Sequence, residues 1–157
     1  MNIDEYLYFL DRAFTGMLAV LDELGDDLAN RTPPVDGANA PWAIVFHCGE
    51  VADYWIGHVL AGRASARDRA AEFTSTGTVG WLRARIVALQ AQLAEDLGAG
   101  FDAAGPLRNT PPAEYEGPSR RLSPIGVLLH VLEELAQHHG QVELSRDVLV
   151  RSLVPAS

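Results

Sequence analysis

Lysine is missing altogether: the twelve basic residues of this 157-residue chain are all arginine. Without a lysine amine, imine-forming catalysis is excluded, and so is the lysine of a phosphate-binding loop. Cysteine is nearly absent as well. Cys48 stands alone and cannot close an internal disulfide, which fits a reducing compartment. No apolar run approaches the ~20 residues that a membrane-spanning helix needs. The acidic start Met1-Asn2-Ile3-Asp4-Glu5 is unlike the basic start of a secretory signal. A cytoplasmic protein with no membrane partner is therefore expected. Basic charge is scarce too, since 21 acidic residues leave a net charge of −9. That balance repels a phosphate backbone and argues against a nucleic-acid partner. Gly-x-Ser-x-Gly and His-Glu-x-x-His are both missing, so neither a nucleophile-elbow serine hydrolase nor the usual metalloprotease is implied.

What is present is helical periodicity. A hydrophobic content of 48% and a length that can bury a core predict one folded domain over residues 1–157. Tyr6, Leu10, Phe14, Met17, Leu18, Leu21 and Leu24 recur at three- and four-residue steps and predict a first helix from about Ile3 to Leu28. Pro33, Pro34 and Gly37 end that pattern. A second helix, with Asn39 as candidate cap and Pro41 in its first turn, runs to about Leu60 and carries Trp42, Val45, Phe46, Val51, Trp55 and Val59. Residues Gly62 to Gly77 are polar and suit a connector or short surface turn. A third helix spans about Thr78 to Leu97. Gly98 to Leu122 reads as a long loop of the kind that often serves as a lid or site wall. Ser123-Pro124 opens a fourth helix that reaches about Arg151. Four amphipathic helices in one domain predict an all-α four-helix bundle, whose interior is a common place for metal and cofactor sites.

The residues that carry chemistry are the histidines. Glu134 and His138 stand four apart on the fourth helix, so both leave one face about a turn apart. A carboxylate and an imidazole so placed are able to grip one divalent ion, and His47 from the second helix would complete a set of three. Three protein ligands with a vacant fourth position is the pattern of a catalytic metal site. His130 with Glu134 is the alternative pair; Glu134 with His138 is preferred because Gly140 allows a close neighbour. A surface helix pair is the plainer reading of this spacing, but Leu128, Leu129, Leu132 and Leu135 make the fourth helix apolar around much of its girth. A buried carboxylate there needs a partner. Glu50 is expected in a supporting or solvated position, and His58 at the surface. Cys48 points away from the site as a buried structural thiol. Tyr54 and His139 are the candidate proton donors.

Trp42, His47, Tyr54-Trp55 and Glu134-x-x-x-His138-His139-Gly140-Gln141 together resemble the DinB-like (YfiT-like) superfamily over nearly the whole chain. The pattern is similar to its mycothiol-dependent maleylpyruvate isomerase branch, which has glutamate where other members carry a first histidine on the last helix. The resemblance implies a four-helix bundle with a long crossover connection, often a homodimer. It also implies a divalent ion, zinc or nickel, held by His47, Glu134 and His138. The implied activity is that of a thiol-dependent S-transferase or isomerase, with a low-molecular-weight thiol such as mycothiol or bacillithiol as cosubstrate and a small molecule as the other substrate. A bound ion of this kind activates a water or a thiol. Arg63, Arg67 and Arg69, or Arg120 and Arg121, are candidate forks for a substrate carboxylate, with solvated loop charge the plainer reading of each. Two other functions stay open: a non-catalytic metal-binding bundle, and a metal-dependent hydrolase using bound water.

Overall fold

A computed structural model describes residues 1–98, 101–112 and 120–153. The predicted long loop is therefore described in part, and residues 99–100 and 113–119 lie outside the described residues. All regular structure among the described residues is helical. Helix α1 is Ile3–Ala29, α2 is Pro41–Ala52, α3 is the single turn Arg69–Glu72, α4 is Val79–Gly98 and α5 is Pro124–Ser152. The helix begun by α2 continues without a break into a wider π-helical coil, Asp53–Leu60. No helix in the described residues is long and apolar enough to cross a membrane.

Local chemistry sets the ends. Asn2 Oδ1 accepts from the Asp4 amide at 2.9 Å and caps α1; Ser123 Oγ accepts from the Gly126 amide at 3.1 Å and caps α5. Asn39 does not cap α2. The capping position is Ala40, which makes no side-chain bond, and Pro41 at the first helical position leaves one fewer unpaired amide at that end. Inside α1, Gly25 takes φ 67°, ψ 173°, a left-handed excursion open to glycine, so the unbroken helix expected there is kinked.

Paired residues give the direction of each helix. Arg146 bonds Glu23 at 3.1 Å, and the His139 ring lies against Gly16, so α1 and α5 run parallel. His47 neighbours His138 and Trp55 neighbours His130, so α2 runs antiparallel to α5. Trp42 Nε1 donates to the Thr78 carbonyl at 3.2 Å at one end, and Arg63 meets Asp96 at 3.0 Å at the other, so α4 runs parallel to α2. The bundle is up-down-down-up. Because α2 and α4 share a direction, residues 61–78 must return along the bundle between them. This crossover carries α3 past the middle of α2. Among the described residues α4 and α5 do not pack on each other; both pack on α1 and on α2, around a core that includes Phe14, Met17, Trp42, Trp55, Leu82 and Leu135. Leu129, one of the leucines that give the fourth helix its apolar girth, is 55% exposed.

The parallel contact of α1 with α5 depends on Gly16, where a Cβ would intrude on the His139 ring. Gly16→Ala is expected to destabilise the protein by about 1–3 kcal/mol through overpacking. Adding His139→Ala should recover part of that loss, so denaturant titration of the two single variants and the double variant is expected to show a positive coupling. Strict additivity would contradict the contact.

Candidate metal centre

The candidate site forms where α2 crosses α5. One ring nitrogen of His47, one of His138 and a carboxylate oxygen of Glu134 lie within 4.8 Å of one another. His47 Nε2 stands 3.8 Å from Glu134 Oε2, and His138 Nε2 stands 3.5 Å from the same oxygen. Zinc-type bonds of ~2.0–2.2 Å in tetrahedral geometry place donors about 3.3–3.6 Å apart. Both histidine–carboxylate separations are therefore close to what a shared cation requires, and the two imidazole nitrogens lie within 4.8 Å of each other.

Both imidazoles are aimed by their other nitrogen. His47 Nδ1 lies 2.5 Å from Glu72 Oε2. A carboxylate only accepts, so Nδ1 carries a proton toward Glu72, and Nε2, once it gives up its own proton, is the nitrogen left facing Glu134 to ligate an ion. His138 Nδ1 donates to Gln141 Oε1 at 2.8 Å and presents Nε2 in the same way. Nε2 lone pairs beside a carboxylate are the donor set a divalent ion requires. The inner wall is dry: His47 is 3% exposed, and the Phe73 ring lies 4.6 Å from its centre. The outer edge is open, with the Glu134 and His138 side chains 30% and 21% exposed.

The electrostatics follow from this packing. Burial alone would lower the His47 pKa, but Glu134 and Glu72 outweigh it and raise it. His138 and then His47 hold Glu134 well below the usual carboxylate range, against the opposing effect of burial. Burial favours the neutral acid at Glu72, yet His47 and Arg67 prevail and lower its pKa. Cys48 is fully buried, and that burial, with the nearby charge of Glu134 and Glu72, pushes its thiol up.

The other expected residues are placed as follows. His130 turns its ring to Trp55, 4.9 Å away, rather than joining the cluster. Tyr54 is buried in the π-helical coil, under the Arg67 guanidinium at 5.4 Å and beside His58 at 5.1 Å. His139 faces α1, against Gly16 and 3.8 Å from Glu143. Glu50 neither supports the cluster nor stands free in solvent; it pairs with Arg85 of α4. His58 is not a plain surface residue. It is partly buried, its Nδ1 lies 2.7 Å from the Arg63 carbonyl, and its own carbonyl accepts from Asn109 Nδ2 at 2.8 Å. Arg63 and Arg67 are not solvated charges. Arg63 bridges Asp53 at 2.5 Å and Asp96 at 3.0 Å, and Arg67 bonds both oxygens of Glu72 at 2.6 and 3.1 Å. Arg120 and Arg121 are exposed.

Glu72 is the residue that sequence reasoning missed. It lay in a stretch taken for a polar connector. The available signal was Asp68 followed by Arg-Ala-Ala-Glu72-Phe73, a helix start ending on an aromatic. Asp68 Oδ1 does accept from the amides of Ala70 and Ala71, at 3.1 and 3.2 Å, and it starts the turn that delivers Glu72.

Neither a curated protein nor a solved structure matches this chain. A family profile described as mycothiol-S-transferase matches residues 6–150, a span that takes in all five helices almost entire. With the helical bundle and the histidine–glutamate cluster in place, that match over most of its length means that the chain belongs to the mycothiol-S-transferase family.

Proposed function

We propose that the protein is a divalent-metal-dependent S-transferase that joins a low-molecular-weight thiol of the mycothiol type to a small electrophile. The observation that carries this reading is the convergence of His47 Nε2, Glu134 and His138 Nε2, each imidazole already oriented through Nδ1. These residues would hold the ion, which the family resemblance implies to be zinc or nickel. A bound ion of this class lowers the pKa of a coordinated thiol so that it is presented as a thiolate at neutral pH.

The chain's own residues support thiol chemistry with a thiol from outside. Cys48 is the only protein thiol, and it is buried with its pKa raised, so it is no nucleophile. The exposed edge of Glu134 and His138 leaves one side for a cosubstrate, while Phe73 and the crossover exclude water behind His47. Of the two candidate proton donors, Tyr54 is favoured. Its ring shares Arg67 with the Glu72–His47 pair, whereas His139 lies on the α1 side of α5.

The test is thiol consumption by purified protein supplied with zinc or nickel, mycothiol and an electrophile such as a haloarene. Metal-dependent loss of free thiol, abolished by a chelator and restored by metal, is expected. Turnover that consumes only water would overturn the reading in favour of hydrolysis. Stoichiometric metal without any turnover across thiols and electrophiles would leave a metal-binding bundle.

A further inference from the structure

We propose that Glu72 is a positioning residue for His47, so that the crossover between α2 and α4 is part of the cation-binding machinery rather than a connector. The inference rests on reading the His47–Glu134–His138 cluster as a cation site. Glu72 does not itself reach the cluster. It meets His47 at Nδ1, across the ring from the Nε2 that faces Glu134. Its effect is to fix which nitrogen carries the proton and which way the ring turns.

The arrangement is too costly to be incidental. Glu72 is 1% exposed, and a carboxylate buried to that degree is maintained only where charged donors surround it. Two of the bonds come from Arg67, five residues back on the same crossover, and the third from His47. Arg67 and Glu72 thus form a rigid fork in which Oε2 accepts both from Arg67 and from the ring. Asp68 caps the single turn that sets the spacing between them.

The two imidazoles are supported unequally. His138 leans on the neutral amide of Gln141, one turn away on its own helix. His47 leans on an anion delivered by another segment. A carboxylate on the Nδ1 proton raises the basicity of the opposite nitrogen more than an amide does. The orientation of His47 therefore depends on the crossover being docked, whereas that of His138 is set within its own helix.

The experiment is competitive zinc titration against a chromophoric chelator, with the cobalt absorption spectrum as second readout. It uses wild type, Glu72→Gln, Glu72→Ala and Gln141→Ala. Outer partners of metal-binding histidines are worth about 10–100-fold in affinity. Glu72→Ala is expected to weaken zinc binding over that range and shift the cobalt bands. Glu72→Gln, which keeps an acceptor but loses the charge, should recover part of the affinity, and Gln141→Ala should cost less than Glu72→Ala. In metal-free protein at alkaline pH, nitrogen NMR should show the Nδ1-protonated tautomer of His47 in wild type and a mixture in Glu72→Ala. The wild-type tautomer does not depend on how Glu72→Ala folds, and an Nε2-protonated or mixed His47 in metal-free wild type would itself overturn the inference. Wild-type affinity and tautomer in Glu72→Ala would overturn the inference alone. Failure of wild type to bind zinc or cobalt would overturn the cation site and this inference with it.

Discussion

Replacing His47 by alanine is expected to strip the protein of its divalent cation and to lower thiol transfer at least about 100-fold. That figure takes the upper range for losing an outer partner of a metal-binding histidine as the least that losing the histidine itself should cost. The same substitution also removes a bond from the buried Glu72 carboxylate. Breaking a buried charged pair typically costs about 3–5 kcal/mol, and the lower end is expected here because Arg67 keeps both of its bonds to Glu72. His47→Asn separates the two consequences. An asparagine amide nitrogen falls near the Nδ1 position and donates to Glu72, while nothing occupies the Nε2 position. Elemental analysis should therefore find both variants metal-poor. Melts of the metal-free proteins should find His47→Asn close to wild type and His47→Ala well below it. Stoichiometric metal in His47→Asn would remove His47 from the ligand set.

The long helices were legible because their signals are local. Tyr6, Leu10, Phe14 and Met17 fall on one stripe, and all four are buried; Ser123-Pro124 starts α5 where a capping residue and proline say it should. The convergence of Glu134 with His138 was legible for the same reason, as a four-residue step on one helix. What the sequence hid is long-range. Nothing in residues 41–98 says that α2 and α4 point the same way, since the pairs that reveal it, Trp42 with Thr78 and Arg63 with Asp96, are far apart in the chain. Once that direction is known, the return of residues 61–78 past His47 follows, and Glu72 ceases to look like a solvated charge. The π-helical coil was hidden too. Widening of the helix after Ala52 carries no periodic signature, and nothing local to His58 announces the Arg63 carbonyl and Asn109 amide that hold it partly buried. Leu129 shows the converse: it widens the apolar girth of the fourth helix in the sequence, yet its step past the buried Leu128 turns it to solvent.

Chelating the cation from loaded protein is expected to lower the melting temperature by roughly 10 °C at neutral pH, and by less as the pH falls. An ion held at about 1,000 times its dissociation constant adds about 4 kcal/mol, and each kcal/mol moves the midpoint of a chain this size by roughly 2–4 °C. The pH dependence comes from His47, which must give up its Nε2 proton to bind the ion. Glu134 and Glu72 outweigh burial and raise its pKa, so protons compete with metal above the ordinary histidine range. In the metal-free protein the sign is reversed. A raised His47 contributes stability that is full below the unfolded value of about 6.5 and is lost as pH rises through the folded value. Glu134, lowered by His138 and His47, contributes stability that is present above about 4.3 and is lost as pH falls toward its folded value. Metal-free protein should therefore be most stable between roughly pH 4.5 and 6.5 and decline toward pH 8, while loaded protein holds its stability there. The gap between the two melting temperatures is expected to widen steadily from about pH 6 to about pH 8. Differential scanning calorimetry of both forms in matched buffers reads it directly. A gap that stays constant over that range would mean that the ion does not displace a proton from His47, and that the imidazole does not face it.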